Sequence, residues 1–205
     1  MKTTIFFDFD GTLADTFGVV AGMMSDFSKG RLSSADFDEM REVGIRATLK
    51  RHRVPLLLTP LLVYKMRKAL RAKSIKLFPD IPQVIKALAQ TYQLGILSSN
   101  SEVNVARTLE AHDLREHFAF IHSGSSLFGK ARILNNVCNK RGIEPAHVIY
   151  VGDEDRDIIA AREAGMQRVA VTWGYNTRRR LEEVHPDMLV DTPLALVDVI
   201  KRVAE

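Results

Sequence analysis

Apolar and polar positions fall into two regimes along the chain. Residues 2–9 form a short apolar run rich in β-formers, which predicts a buried strand that Gly11-Thr12 ends. From residue 15 to about 76 the spacing is helical and predicts no strand. Met23, Met24 and Phe27 mark one helix, Ser33-Ser34-Ala35-Asp36 has the form of an N-terminal cap, and Pro55 and Pro60 punctuate the middle. Residues 61–72 predict a further helix. Beyond Pro79 the character changes. Ile81-Pro82 opens a helix with Val84, Ile85, Leu88 and Ala89 on one face. Strands are then predicted at 94–97, 118–122, 147–151, 168–172 and 188–190. They alternate with helices at 103–111, 131–140, 156–164 and 193–203. That alternation predicts an α/β chain: a parallel sheet with helices on both faces, and a helical block inserted after the first strand. The expected organisation is a core of residues 1–14 and 78–205 and an α-helical cap of residues 15–77.

Composition supports this picture and narrows it. A hydrophobic share of 46% in 205 residues supplies a sizeable core, and 26% charged residues is ordinary for a globular chain. The single cysteine, Cys138, allows no internal disulfide and falls in an apolar helical pattern. Ile5-Phe6-Phe7 is too short for a signal-peptide core, and no run approaches the ~20 apolar residues of a membrane span, so the expected location is the cytoplasm. Residues 15–77 carry thirteen Lys or Arg against six Asp or Glu, a net of +7, while the remainder is net −3. That charge suits either a small anion or a solvated helix face. No aromatic ladder accompanies it, so neither a nucleic-acid nor a membrane partner is expected. His112, His117 and His122 fall on different predicted elements, without zinc-ligand spacing.

In a parallel sheet the ligand crevice lies beyond the carboxyl ends of the strands, so the residues just after each strand carry the chemistry. The first strand delivers Asp8-Phe9-Asp10-Gly11-Thr12, the second Ser98-Ser99-Asn100, and the fourth Gly152-Asp153-Glu154-Asp155-Arg156-Asp157. Lys130 opens the helix after the third. Asp8 and Asp10, two apart, can reach one crevice. Two close carboxylates repel, and a divalent cation removes the conflict. With Asp153 as a third acidic ligand, an all-oxygen site of this kind suits Mg2+. Lys130 would neutralise charge, and the hydroxyl of Ser98 with nearby amides would hold phosphate oxygens.

The four segments together resemble the motifs of the haloacid dehalogenase-like hydrolase superfamily: Asp8-x-Asp10-Gly11-Thr12-Leu13, Ser98 after Leu94-Gly95-Ile96-Leu97, Lys130 in Phe128-Gly129-Lys130, and Gly152-Asp153-x-x-x-Asp157. All four occur in order. The resemblance, nearest to the phosphoglycolate phosphatase-like branch, implies a Rossmann-like core with a small helical cap that closes over the site. It implies that Asp8 attacks phosphorus and that Asp10 serves as acid and then base. Asp8, Asp153 and the main-chain carbonyl of Asp10 would bind Mg2+. Asp157 would orient Lys130 or a metal-bound water, Gly11 would permit a tight turn, and Thr12 would stabilise it. Ser98, Ser99 and Asn100 would contact substrate, as would Arg46 in Gly44-Ile45-Arg46, where such caps place a contacting loop. Thr172-Trp173-Gly174-Tyr175 is expected as a loop near the site.

The expected activity is hydrolysis of a small phosphorylated metabolite by a monomer or homodimer. A phosphomutase using the same phospho-aspartate and a non-catalytic binding module are the alternatives. Lys130 is followed by Ala131-Arg132-Ile133 where relatives close to phosphoglycolate phosphatase and β-phosphoglucomutase have Pro-x-Pro, which weakens assignment to either activity. The sequence does not name the substrate.

Overall fold

The computed structural model of the chain describes residues 3–28, 33–53, 58–124 and 129–204. Lys2, Pro55, Phe128 and the side chain of Arg46 lie outside the described residues.

Six parallel strands form one sheet: β1 (Thr4–Phe7), β4 (Gln93–Ser98), β5 (Phe118–Ser123), β6 (Val148–Gly152), β7 (Gln167–Val171) and β8 (Met188–Val190). Their order is β5-β4-β1-β6-β7-β8, with β1 between β4 and β6. The chain starts in the middle, winds outward through β4 and β5, and then returns to the other side of β1 for β6. That reversal leaves a crevice at the carboxyl end of β1. Phe7 pairs with both Ile96 and Val151, so the residues that follow these three strands arrive at one edge.

Alternation along the strands sends side chains to both faces, which explains why these strands read as continuous apolar runs. On one face Ile5, Phe7, Ile96, Ile149, Val151 and Val169 share a core with α5 (Ile81–Ala89), α6 (Glu102–Glu110) and α10 (Ala195–Ala204). On the other, Phe6, Leu97, Phe120 and Tyr150 pack with Leu134, Val137 and Cys138 of α7 (Lys130–Arg141) and Ala160 and Ala161 of α8 (Asp155–Glu163). Cys138 is buried there, as its apolar pattern predicts.

The block after β1 contains α1 (Phe17–Phe27), α2 (Ser34–Val43), α3 (Ile45–Arg51) and α4 (Thr59–Arg71). Ser33 caps α2 as expected: its main-chain N–H donates to Asp36 Oδ2 at 2.7 Å, and Asp36 N–H returns a bond to its hydroxyl. The block enters and leaves through a two-stranded antiparallel ribbon, β2 (Ala14–Asp15) with β3 (Lys76–Leu77). This ribbon lies where the helical spacing predicts no strand, because two residues are too few for a period-2 pattern to show. A short helix α9 (Arg178–Glu182), capped by the Thr177 hydroxyl, also lies outside the predicted elements.

Two sets of bonds hold this block against the sheet edge. On one side Arg67 Nε donates to the Ser99 carbonyl at 2.8 Å, and Asn104 returns a bond to the Arg67 carbonyl at 3.0 Å. Arg107 reaches the carbonyls of Leu70, Arg71 and Lys73 at the carboxyl end of α4, where a cation meets the negative end of the helix. On the other side Arg41 donates to the carbonyls of Gly174 and Tyr175, both at 3.2 Å, while Thr177 N–H donates to the Arg41 carbonyl. Part of the block's basic charge therefore engages main-chain carbonyls of the sheet edge. Lys65 lies over the Phe27 ring, and Arg51 pairs with Glu39 within the block.

Candidate active site

β1 ends at Phe7, and its direction carries Asp8 to the crevice, where Asp8 N–H still donates to the Val151 carbonyl at 2.9 Å. Lys130, the first residue of α7, reaches back along the sheet edge. Its Nζ lies 3.1 Å from Asp8 Oδ1 and 2.6 Å from Asp157 Oδ1. It also sits over the Tyr150 ring, 5.0 Å from the centroid, which favours the cation further. Asp157 is held in turn by the Glu154 N–H, 3.3 Å from Oδ2. All three side chains are buried. Carboxylate oxygens of Asp8, Asp153 and Asp157 lie within 4.8 Å of one another.

Asp10 occupies a different electrostatic setting. Its Oδ2 accepts from the Ser98 hydroxyl and its Oδ1 from the Asn100 side-chain amide, each at 3.2 Å. Asn100 is fixed by two donors on its own oxygen, Ser101 N–H and the Asn104 amide, both at 2.8 Å. The Ser98 hydroxyl also accepts from Asn100 N–H at 3.0 Å. Ser98 and Asn100 thus hold Asp10 in this structure. The Thr16 hydroxyl is 2.8 Å from that of Tyr175.

Burial sets the electrostatics. It pushes Asp8 up to about 7, although Lys130 pulls the other way, and Asp10 up to about 6. Asp153 is also raised well above the carboxylate range, first by burial and then by Glu154 and Asp157. Lys130 loses solvation too, but Asp157 and Asp8 outweigh that and hold it well above an ordinary lysine. Asp8, Asp10, Asp153, Glu154 and Asp157 are buried around two cations, Lys130 and Arg156. The site is rich in oxygen donors and short of positive charge.

Asp153 is positioned from the loop after β7. Thr12 Oγ1 donates to its Oδ1 at 2.6 Å, and Tyr175 N–H to its Oδ2 at 2.7 Å. Gly11 takes φ +87° beside it, and a Cβ at Gly11 or at Gly174 would overlap the Asp153 carboxylate. Both glycines are therefore required by close approach, and Gly11 by its left-handed backbone as well. Trp173 Nε1 donates to the Thr12 carbonyl at 3.0 Å, which ties the 172–175 loop to the turn after β1. Gly11→Ala is expected to lower the thermal midpoint by several degrees, from positive-φ strain of ~1 kcal/mol together with the displaced carboxylate, measured by calorimetry.

A cavity of about 30 Å3 lies between the sheet edge and the helical block, lined by Asp10, Ser99, Glu154, Arg156, Tyr175 and Asn176 below and by Val20, Met40 and Met66 above. A wider groove of about 550 Å3 opens beside it, with Gly44, Lys50, Lys130, Asp155 and Arg156 among its lining. Of the predicted site residues, Asp8, Lys130, Asp153 and Asp157 come together. Asp10, Ser98 and Asn100 form a second cluster, which Ser99 adjoins. Gly44, two residues before Arg46, faces the Asp155 carboxylate. The sequence reading passed over Asn104, which steadies Asn100, and over Glu154 and Arg156, which stood as unspecified positions inside the fourth motif. No helix among the described residues is long and apolar enough to cross a membrane.

The comparisons with known proteins agree with this geometry. The family model described as haloacid dehalogenase-like hydrolase matches residues 5–171. A phosphoglycolate phosphatase of Synechococcus elongatus is 34% identical over 96% of this chain and 96% of its own length. A phosphoglycolate phosphatase of Vibrio vulnificus is 30% identical over 60% of this chain and 56% of its own. The solved structure of a predicted phosphatase from Clostridium acetobutylicum superposes with a TM-score of 0.81, covering 98% of this chain and 99% of that one at 20% identity, a likeness of fold. The chain therefore belongs to the haloacid dehalogenase-like hydrolase family, in the branch of its phosphoglycolate phosphatase relatives, and is a phosphatase.

Proposed function

We propose that the chain is a Mg2+-dependent phosphatase that hydrolyses a small phosphate monoester by way of an aspartyl-phosphate on Asp8. The observation that carries this reading is the buried Asp8 carboxylate just past the end of β1, 3.1 Å from Lys130 and within one cluster of oxygens with Asp153 and Asp157. An Asp8 oxygen attacks phosphorus as the bond to the ester oxygen breaks, and the leaving oxygen takes the proton of Asp10. Asp10 then removes a proton from water, whose oxygen attacks phosphorus and returns Asp8 as carboxylate. Each displacement is easier than the single one it replaces. Lys130 holds the charge of Asp8 and of the incoming phosphoryl group. Asp10 suits acid and base work because its bonds come from neutral donors, Ser98 and Asn100.

The donor set fits a hard divalent cation: carboxylate oxygens from separate elements, gathered and buried. Asp8, Asp153 and the Asp10 main-chain carbonyl would hold it. Asp157 is committed on both oxygens, to Lys130 and to Glu154 N–H, and acts by orienting Lys130. When bound, Mg2+ would offset the negative charge of the carboxylates and the phosphoryl group.

The test is release of inorganic phosphate from 2-phosphoglycolate, the substrate that the Synechococcus relative's name puts first, and from an aryl phosphate. Release is expected with Mg2+, loss on chelation, and recovery on re-addition. Full activity in chelator would overturn the metal assignment, and no release from a broad panel of esters would overturn the phosphatase reading.

Residues 15–77 act in this proposal as a cap that excludes water and opens for exchange. Arg67 is one of its latches. Arg67→Met is expected to lose a charge-assisted bond worth ~1.5–3 kcal/mol and to speed hydrogen exchange in residues 59–71 by at least about tenfold, with β1 and β6 unaffected. Unchanged exchange in α4 would remove Arg67 from that role.

A further inference from the structure

Asp153 takes its side-chain bonds from two neutral donors, the Thr12 hydroxyl at 2.6 Å and the Tyr175 N–H at 2.7 Å. It is fully buried, and its neighbours in the oxygen cluster are the carboxylates of Asp8 and Asp157. A positive charge stands one peptide group away. Tyr175 N–H and the Gly174 carbonyl are the two ends of a single planar unit. That carbonyl accepts from Arg41 Nη2 at 3.2 Å, and the Tyr175 carbonyl accepts from Arg41 Nε, also at 3.2 Å. Arg41 belongs to α2, so the guanidinium that grips this peptide comes from the helical block. A cation on the oxygen of an amide polarises it and strengthens the bond that its N–H donates. The two grips also fix the plane of the peptide, and with it the direction of the N–H.

Side chain and main chain of Arg41 both engage the loop that frames Asp153. The guanidinium lies over the Phe17 ring, 5.4 Å from its centroid, and Phe17 meets the Tyr175 ring edge-on at 5.4 Å. The Arg41 carbonyl, near the carboxyl end of α2, accepts from Thr177 N–H at 3.0 Å and from the Asn176 side-chain amide at 3.3 Å. Asn176 N–H in turn donates to the Asp153 main-chain carbonyl at 3.3 Å. Arg67, the latch on the other side of the block, bonds the Ser99 carbonyl at a different strand end.

We propose that Arg41 is a positioning residue for the metal site. Through the Gly174–Tyr175 peptide it orients the Asp153 carboxylate, so docking of the helical block prepares a Mg2+ ligand, and Mg2+ in turn favours the docked block. The proposal rests on the Mg2+ assignment above and adds a regulation of that same site. Partners that orient a metal ligand are typically worth ~10–100-fold in metal affinity. Coupling between two equilibria acts equally in both directions.

The experiment is isothermal calorimetry of Mg2+ binding to the full chain, comparing wild type with Arg41→Met, Arg41→Lys and Arg67→Met. Arg41→Met is expected to bind Mg2+ about tenfold more weakly. Arg41→Lys, which keeps the charge but not the fork, should fall between it and wild type. Arg67→Met, which loosens the block at a distance from the Asp153 loop, should stay within about twofold of wild type. Hydrogen exchange on wild type needs no variant: saturating Mg2+ should slow residues 34–43 by about tenfold and residues 59–71 by much less. Equal affinity in Arg41→Met and wild type would overturn the proposal. So would an equal loss in Arg41→Met and Arg67→Met, which would assign the effect to closure in general, and so would Mg2+ protection spread evenly over both helices. A wild type that binds no Mg2+ would instead overturn the metal assignment, a result distinct from Mg2+ binding that ignores Arg41.

Discussion

Asp8→Asn is expected to abolish phosphate release, by on the order of 10^4-fold or more, while leaving the protein folded. The amide keeps an oxygen where Lys130 Nζ donates at 3.1 Å, and Asn matches Asp in shape, so little packing changes. It cannot attack phosphorus. Asp8 is also one of five buried acidic side chains around two cations, and burial opposes its ionised form. Removing that charge relieves repulsion with Asp157 and Asp10. In metal-free buffer the variant should therefore unfold no earlier than wild type, and a few degrees later if the relief exceeds the lost attraction to Lys130. This is the pattern of a site held together at a cost in stability. Calorimetry and a phosphate-release assay on the same preparation decide it. An inactive variant that melts ten degrees early would mark Asp8 as structural, and an active one would exclude it as nucleophile.

Lys130→Met is expected to fail in both respects. Lys130 is the cation bonded to both Asp8 and Asp157, at 3.1 and 2.6 Å. Removing one member of a buried ion cluster leaves the others uncompensated and typically costs ~3–5 kcal/mol. For a chain of this length that is a fall of about 10 °C in the thermal midpoint. Activity should fall by about 10^3-fold, because the nucleophile loses its orienting partner and the phosphoryl group its counter-charge. Raising Mg2+ should recover part of the midpoint, since a ligand that binds only the folded state stabilises it, but should not recover the rate. A Lys130→Met protein with the wild-type midpoint and rate would show that the two bonds do no more than cover a surface.

Much of this site was legible in the sequence because strand ends announce themselves. Apolar runs stop at Asp8, Ser98 and Asp153, and parallel topology requires those stops to share an edge. Lys130 was read as a counter-charge at the same edge, while the role of Asp157, orienting Lys130 or a metal-bound water, came only from the family resemblance, and the fold shows the bond to Lys130. The hold on Asp10 was not legible. Ser98 and Asn100 were expected on the substrate, and nothing in their spacing says that they also donate to a side chain 88 or 90 residues away. The basic block was legible only as charge. Net charge does not tell a solvated arginine from one bonded to a carbonyl more than 130 residues distant, as Arg41 is. Arg156 was hidden for another reason. It stands next to Asp157, whose role the motif supplies, and only the fold shows the two side chains parting, one to Lys130 and the other to the cavity.

The central claim is that phosphorus passes through the carboxylate of Asp8, and it can be observed directly. With an aryl phosphate the leaving group needs little protonation, so Asp10→Asn should complete the first displacement and stall before the second. Acid-quenched Asp10→Asn should then show a burst of phenol stoichiometric with enzyme, and mass spectrometry should find one phosphoryl group on the peptide that contains Asp8. A burst with the phosphoryl group on another residue, or steady turnover with an unmodified Asp8 peptide, would contradict the account.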